Sequence, residues 1–215
     1  MERKKVAWYD SPGSGWVRDI WVLTHFPYTV WHLSYVVIGA ALAPVLHWPT
    51  LGWTLLAFFL AMGVTAHCLD ELKGRPLKTE LPAVVLLTIA AVSIVGAGAI
   101  GVLVGLPRSL WILPTIIFGG FIVAAYNLEW FKGRFHTDLW FAVAWGAFPV
   151  ITAYLAQTGQ ISWSIVFVAL GALFYSLAQR ELSKQSRFWR RKVTQVSGIY
   201  LCERKAGSFD QDEIL

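Results

Sequence analysis

Long runs of apolar residues alternate with short polar connections along most of this chain. Each run is close to, or longer than, the roughly 20 residues that an α-helix needs to cross the hydrocarbon core of a bilayer. The hydrophobic pattern therefore predicts an all-α fold, a polytopic membrane bundle of about six transmembrane helices. The predicted spans are 27–47, 51–71, 82–106, 109–131, 138–157 and 161–181.

Composition supports this assignment, and charge predicts the orientation. The 215 residues are 56% hydrophobic and only 14% charged, whereas about a quarter of the residues of a soluble domain are charged. With the N-terminus in the cytoplasm, Arg108 would be the one residue among the 18 Lys and Arg that lies outside. Cytoplasmic loops carry the excess of Lys and Arg. We therefore expect a multi-pass protein of the cell (inner) membrane with both termini in the cytoplasm.

The same pattern divides the chain into three parts. Residues 1–26 are expected to form a cytoplasmic or interfacial N-terminal segment, and a basic start followed by polar residues does not predict a cleaved signal peptide. Residues 27–183 are the predicted bundle, and 184–215 are a basic and then acidic cytoplasmic tail. Basic and aromatic residues at 187–192 suit anionic lipid headgroups. Membrane lipid is thus an expected partner, and nucleic acid is not.

Two of the predicted cytoplasmic loops resemble each other. Residues 66–81 and 125–139 both read Ala-x-x-Leu-acid-x-x-Lys-Gly-Arg, and both continue to Thr-acid-Leu after a one-residue gap between the copies. Agreement at this many positions indicates an internal repeat. We expect the two helix ends to converge on the inner leaflet, where their acids and bases would hold an anionic headgroup.

The carboxylates of the two copies, Asp70 and Glu129, are the candidate catalytic residues. Each precedes a helix C-terminus, where the helix dipole disfavours an anion. Ionisable groups at membrane depth are costly and usually either form pairs or have a function. The alternative to a functional role is that each acid forms a salt bridge with the cation of its own copy, Arg75 or Arg134.

Two chemical schemes fit these residues. In the first, the acids Asp70, Glu71 and Glu129 bind Mg²⁺, which bridges to the phosphates of a polyprenyl diphosphate. Cations in both copies would neutralise the phosphate oxygens, and an apolar bundle could hold the isoprenoid tail. The predicted substrate-binding cations are Lys73, Arg75, Lys132 and Arg134.

In the second scheme, imidazoles join the carboxylates and bind a transition metal. The candidate ligands are His25, His32, His67 and His136. His25 and His32 are seven residues apart and would share one side of the first helix, which also makes them candidate axial ligands of a redox cofactor. Because the chain has only five His, too few for the clusters of membrane desaturases and hydroxylases, this scheme ranks lower.

At these residues the chain resembles the UbiA superfamily of intramembrane prenyltransferases. Residues 66–77 resemble its Asn-Asp-x-x-Asp-x-x-x-Asp motif and the following Arg-Pro-Leu, while 126–134 and 145–149 resemble its Tyr-Lys-Arg loop and the Gly-rich helix after it. The resemblance covers about residues 25–160. The family usually has about nine helices, and here His67 and Gly74 stand where its motif has acidic residues.

The resemblance implies a metal and a substrate. Asp70 would bind Mg²⁺, and Lys132 and Arg134 would bind the diphosphate. Tyr126 is a further candidate for substrate binding, and His67 is a further candidate metal ligand. The leading hypothesis is therefore a UbiA-like membrane protein that recognises a polyprenyl diphosphate or a similar anionic lipid on its cytoplasmic side, with Mg²⁺-dependent prenyl transfer as the implied activity. The alternatives are a non-catalytic subunit among the partners of a larger membrane complex, and a His-ligated redox or cofactor-binding subunit.

Overall fold

The computed structural model describes Tyr9 and residues 15–193, 197–202 and 205–209, and these residues are mostly helical. The basic start of the chain and the acidic end of the predicted tail lie outside these ranges. One compact unit extends to Leu177, and a second begins at Ala178. The helices longer than four residues are α1 Trp16–Leu23, α2 Phe26–Ala41, α3 Trp48–Leu72, α4 Ala83–Gly105, α5 Ile112–Asn127, α6 Asp138–Thr158 and α7 Trp163–Lys192.

The second unit contains a two-stranded hairpin that the apolar pattern did not predict. Strand β1, Gly198–Cys202, pairs antiparallel with β2, Lys205–Phe209. β1 carries Ile199 and Tyr200, and β-branched and aromatic residues favour strands. The predicted helical fold is otherwise confirmed, with this hairpin added near the end of the chain.

Among the described residues, four helices are long and apolar enough to cross a membrane. They are α3, α4, α6 and the segment Trp163–Trp189 of α7. The prediction of a helical chain with helices of membrane-spanning length and hydropathy is thus confirmed. α5 is apolar but has only 16 residues, and α2 also has 16, so the count of six spans stays a prediction.

Several helices end at positions that the sequence pattern placed within a helix or close to its end. α1 and α2 are separate helices because His25, between them, has a left-handed backbone with φ 44. α2 ends at Ala41, short of the predicted 47, because the following segment leads to Pro44, whose ring disfavours helical conformation in the residue before it. α5 ends at Asn127, and Glu129 then turns the chain with φ 53.

Close helix contacts hold the core of the first unit together. A Cβ on Gly39 of α2 would lie 2.9 Å from the Cα of Val150 on α6, and one on Gly146 would lie 2.9 Å from the carbonyl oxygen of Ala172 on α7. Small residues allow such approach of membrane helices. The outward face of α4 is apolar, with Val84, Val92, Val95 and Leu103 exposed, as suits contact with lipid.

Candidate functional site

The two copies of the repeat meet in the structure. The ammonium nitrogen of Lys73, after α3, lies 3.3 Å from Oε2 of Glu129, after α5, and the two side chains are 48% and 42% exposed. The expected convergence of the two helix ends is therefore present. Among the described residues Glu129 pairs with Lys73 of the other copy and not with Arg134 of its own.

The first copy is organised around a buried carboxylate. Glu71 is fully buried. Its Oε2 accepts the N–H of Leu77 at 2.9 Å, and its Oε1 accepts the N–H and the hydroxyl of Thr79, each at 2.8 Å. Three donors satisfy this charge and hold the turn after α3. Binding of Mg²⁺ by Glu71 stays a prediction, and the ion would have to reach a fully buried carboxylate that already accepts three hydrogen bonds.

Arg75 closes the same turn. Its Nη1 donates to the carbonyl oxygens of Thr79 at 3.2 Å and Leu81 at 2.6 Å. Its backbone is left-handed, with φ 52, and follows Gly74, with φ 107. Glycine adopts such a conformation without the steric cost that other residues incur. The Arg75 side chain, predicted to bind substrate, thus contributes at least two of its hydrogen bonds to the loop itself.

Helix α1 is hydrogen-bonded to this loop through two buried charged residues that the sequence pattern did not predict to be part of the site. Arg18 and Asp19 are 4% and 1% exposed, and Nη1 of Arg18 lies 3.0 Å from Oδ1 of Asp19. Oδ2 of Asp19 accepts the N–H of Glu80 at 2.6 Å, and Arg18 donates to the carbonyl of Leu77 at 3.4 Å. Buried charges are normally paired in this way. The sequence feature that could have identified these two residues is the adjacent Arg-Asp pair in α1, whose other six residues are apolar.

The second copy forms a left-handed turn. Glu129, Phe131 and Lys132 have φ 53, 55 and 59, and Gly133 has φ 77. A left-handed conformation costs a non-glycine residue about 1–2 kcal/mol, so the surrounding structure must impose this turn. The turn leaves the side chains of Lys132 and Arg134 exposed.

Tyr126, predicted to bind substrate, is buried near the end of α5, just before this turn in the chain. The side chain is 5% exposed. Its ring stacks on His136 at a centroid distance of 4.5 Å and contacts Trp145 at 4.8 Å. Nδ1 of His136 donates to the Tyr126 carbonyl at 2.9 Å. These aromatic contacts lie between the exposed turn and the interior of the bundle.

The remaining predicted histidines occupy two different places. His25 lies in the break before α2, so the expectation that it shares a helix face with His32 is wrong. Its ring stacks on His67 at 4.4 Å, with 28° between the planes, and its Nδ1 lies 2.7 Å from the hydroxyl of Tyr9. Nδ1 of His32 instead donates to the Trp145 carbonyl at 3.1 Å.

Two of these imidazoles bind backbone carbonyls of unusual helix segments. Phe59–Thr65 in α3 and Ala142–Ala147 in α6 are wound as π-helix, which is rare and often found at functional sites. Nδ1 of His67 donates to the carbonyl of Gly63 at 3.0 Å, and the His32 acceptor, Trp145, lies in the other segment. The two histidines thus donate hydrogen bonds to carbonyl groups within the π-helical segments.

The donor set limits how a metal could be held. In the described parts of the chain, no three His, Cys, Asp or Glu side chains are grouped closely enough to hold a metal ion. Mg²⁺ is usually held by one or two carboxylates together with phosphate oxygens and water. Asp70 is partly exposed and Glu129 is exposed, and binding of Mg²⁺ by these two acids stays a prediction.

An apolar cleft of about 190 Å³ lies between α3, α4, α5 and α6. A smaller cavity of about 30 Å³ adjoins it, and Trp145 is among the residues that line this cavity. Together they are lined from Ala144 to Ala156 along α6, which corresponds to about 18 Å at the helical rise. The cleft has room for part of a hydrocarbon chain, and it lies toward the ends of the helices away from the two turns, since Gly105 and Ile112 line it. Trp145, which lines the smaller cavity, contacts the Tyr126 ring near the end of α5.

No protein-family model, curated protein or solved structure matches this chain. The UbiA-like features are therefore a resemblance of short motifs, and the function has to be inferred from the residues themselves.

Proposed function

We propose that this protein binds the anionic headgroup of a membrane lipid, a polyprenyl diphosphate or one of similar chemistry, at the cytoplasmic face of the membrane. The observation that carries the proposal is the ion pair between Lys73 and Glu129, which joins the two copies of the repeat at one surface. In the two turns, exposed cations outnumber exposed acids, and such an excess attracts anions. The cations are Lys73, Lys78, Lys132 and Arg134, against Glu80 and Glu129.

The proposal includes the predicted topology of six spans with both termini inside, in the cell (inner) membrane. Its support is the distribution of Lys and Arg. α2 and α5, at 16 residues each, are about 24 Å long at the helical rise, less than the roughly 30 Å of a bilayer core. Flanking non-helical residues and local thinning of the bilayer would accommodate them.

A diphosphate lipid suits both parts of the molecule. Phosphate oxygens form strong charge-assisted hydrogen bonds with Lys and Arg, which the turns present. The apolar cleft offers space for an attached chain. In the proposed complex, Mg²⁺ is carried by the diphosphate, with Asp70 and Glu129 as its protein ligands. Prenyl transfer from that complex would break the carbon–oxygen bond to the diphosphate, join that carbon to a nucleophilic acceptor and release inorganic diphosphate.

One observation favours a second candidate, a non-catalytic membrane subunit that uses the lipid as a structural element. Several residues predicted to take part in chemistry instead hold the protein together: Glu71 and Arg75 bond the loop, and Tyr126 is packed between rings. A subunit of this kind would bind the lipid without breaking its carbon–oxygen bond. Release of inorganic diphosphate from geranylgeranyl diphosphate would exclude it.

Binding of geranylgeranyl diphosphate to the full chain in phosphatidylcholine nanodiscs tests the proposal. The test variant is Lys132→Ala with Arg134→Ala, and the matched control is Arg108→Ala, which removes a cation near the opposite ends of the helices. Each charge-assisted bond contributes about 1.5–3 kcal/mol, and 1.4 kcal/mol is tenfold in affinity. We expect at least a tenfold loss for the double variant and no change for the control. Unchanged binding by the double variant would contradict the proposal.

Glu129→Gln separates the two roles of the acid. If Glu129 binds Mg²⁺, the variant loses affinity only when Mg²⁺ is present. If it serves only to pair with Lys73, the variant gains affinity for the diphosphate, because the ammonium group is released. Parallel measurements with inorganic diphosphate and with geranylgeraniol show whether headgroup or tail dominates. An absorption spectrum of the purified protein tests the redox alternative.

A further inference from the structure

Helix α1 buries two charged residues and exposes apolar ones, unlike a typical helix on the surface of a soluble protein. Four apolar residues point outward and form what we call the outer face of α1: Trp16, Val17, Ile20 and Trp21, between 44% and 86% exposed. On the opposite side, the charged residues Arg18 and Asp19 are buried together with Val22 and Leu23. A surface helix in water normally turns its apolar side to the core and its charges outward. The outer face of α1 therefore needs an apolar partner.

The outer face continues into the apolar surface of the next helix. The ring of Trp21 stacks on Phe26, the first residue of α2, at a centroid distance of 5.8 Å and an angle of 23°. Phe26 is itself 53% exposed, and Val30 and Val37 farther along α2 are 48% and 44% exposed. The outward side of α2 and the outer face of α1 thus form one continuous apolar surface, on which the indole N–H of Trp21 donates to the Tyr9 carbonyl at 3.0 Å.

The other side of α1 fixes its depth. Asp19 and Arg18 bond the backbone of Glu80 and Leu77, in the polar loop between α3 and α4. That loop exposes Lys78 and Glu80, which belong at the aqueous boundary. α1 thus lies at the level of the polar loop while its outward side is apolar. Indole rings, of which α1 has two, prefer this boundary.

We infer that α1 is a membrane-surface helix whose outer face inserts into the lipid of the adjacent leaflet, with its charged side turned inward onto the loop between α3 and α4. The partner is the bilayer interface, since the outer face is continuous with the side of α2 that faces away from the bundle. Amphipathic helices bind interfaces through such an apolar face. This inference requires a membrane-embedded bundle and does not depend on headgroup binding, so either proposal can fail alone.

Depth-dependent quenching in nanodiscs tests this inference on the full chain. In a Cys68→Ala, Cys202→Ser background, a single cysteine is introduced by Val17→Cys and labelled with an environment-sensitive fluorophore. Glu80→Cys, in the loop that α1 contacts, is the control. Lipids brominated on the acyl chains quench labels in the membrane, and iodide quenches labels in water. We expect the label at position 17 to be quenched by the brominated lipids and at least twofold less by iodide than the label at position 80.

The other outcomes overturn the inference. Equal iodide quenching at the two positions would place the outer face in water. Protection from both quenchers would indicate that a protein, or another part of this chain, covers it. Ile20→Cys, on the same face, repeats the measurement and guards against a local effect of the label at position 17.

Discussion

Lys73 and Glu129 stand 56 positions apart in the chain and form a 3.3 Å ion pair. Each residue belongs to a different copy of the repeat, and each pairs with a charge of the other copy. The pair shows that the repeat is assembled into one surface. The copies are not equivalent, however, because a buried acid holds the first turn, whereas Trp130 occupies the matching position in the second.

Reversing the Lys73–Glu129 pair tests the contact itself. Lys73→Glu places two carboxylates side by side, and we expect a lower thermal midpoint in detergent. Combining it with Glu129→Lys restores opposite charges and should recover most of the loss. Since half-exposed pairs contribute about 0–1 kcal/mol, the effect will be small and greatest at low salt. Failure of the double variant to recover would mean that the two groups do not interact in solution.

Glu71→Gln should destabilise the protein although it preserves the shape of the side chain. The carboxylate accepts three hydrogen bonds, and the amide of Gln would turn an N–H toward one of these donors. An unsatisfied buried polar group costs about 1–3 kcal/mol. Thermal unfolding in detergent measures the loss. Glu80→Gln is the control because that side chain is exposed in the same loop, and equal effects of the two changes would refute the role of Glu71.

Arg18→Met should be more harmful than removal of the whole buried pair. The single change leaves Asp19 buried without its cation, and breaking a buried pair typically costs about 3–5 kcal/mol. Arg18→Met with Asp19→Leu removes both charges and should recover part of this stability. Hydrogen exchange of the amides at 77–81 measures the consequence for the loop. An additive effect of the two substitutions would mean that the pair is not coupled.

Gly39→Ala should weaken the packing of α2 on α6. The added methyl group would lie 2.9 Å from the Cα of Val150, and the backbone of α6 cannot move aside as a flexible side chain can. Overpacking of this kind costs about 1–3 kcal/mol. Gly52→Ala in α3 is the matched control, since a Cβ there would meet nothing within 4 Å. A thermal midpoint for Gly39→Ala as high as that of the control would contradict the close approach.

The helices and the meeting of the two repeat ends could be predicted from the sequence, but the roles of individual site residues could not. Glu71 looked like one of three equivalent acids, and only its burial and its three donors distinguish it. His25 and His32 looked like neighbours on one helix until the left-handed backbone at His25 separated them. The break results from the left-handed φ of His25, and the hydrophobic periodicity of the sequence does not indicate that angle.

By itself, the sequence determined that this chain forms helices long and apolar enough to span a membrane and carries two related polar turns, because hydrophobicity and motif identity are properties of contiguous residues. The tertiary structure decided which charges are buried, which acids are already bonded, and that the charged side of α1 faces inward. Those outcomes depend on distances between residues far apart in the chain, such as Asp19 and the N–H of Glu80 at 2.6 Å. Local composition does not determine such distances; the packing of the helices does.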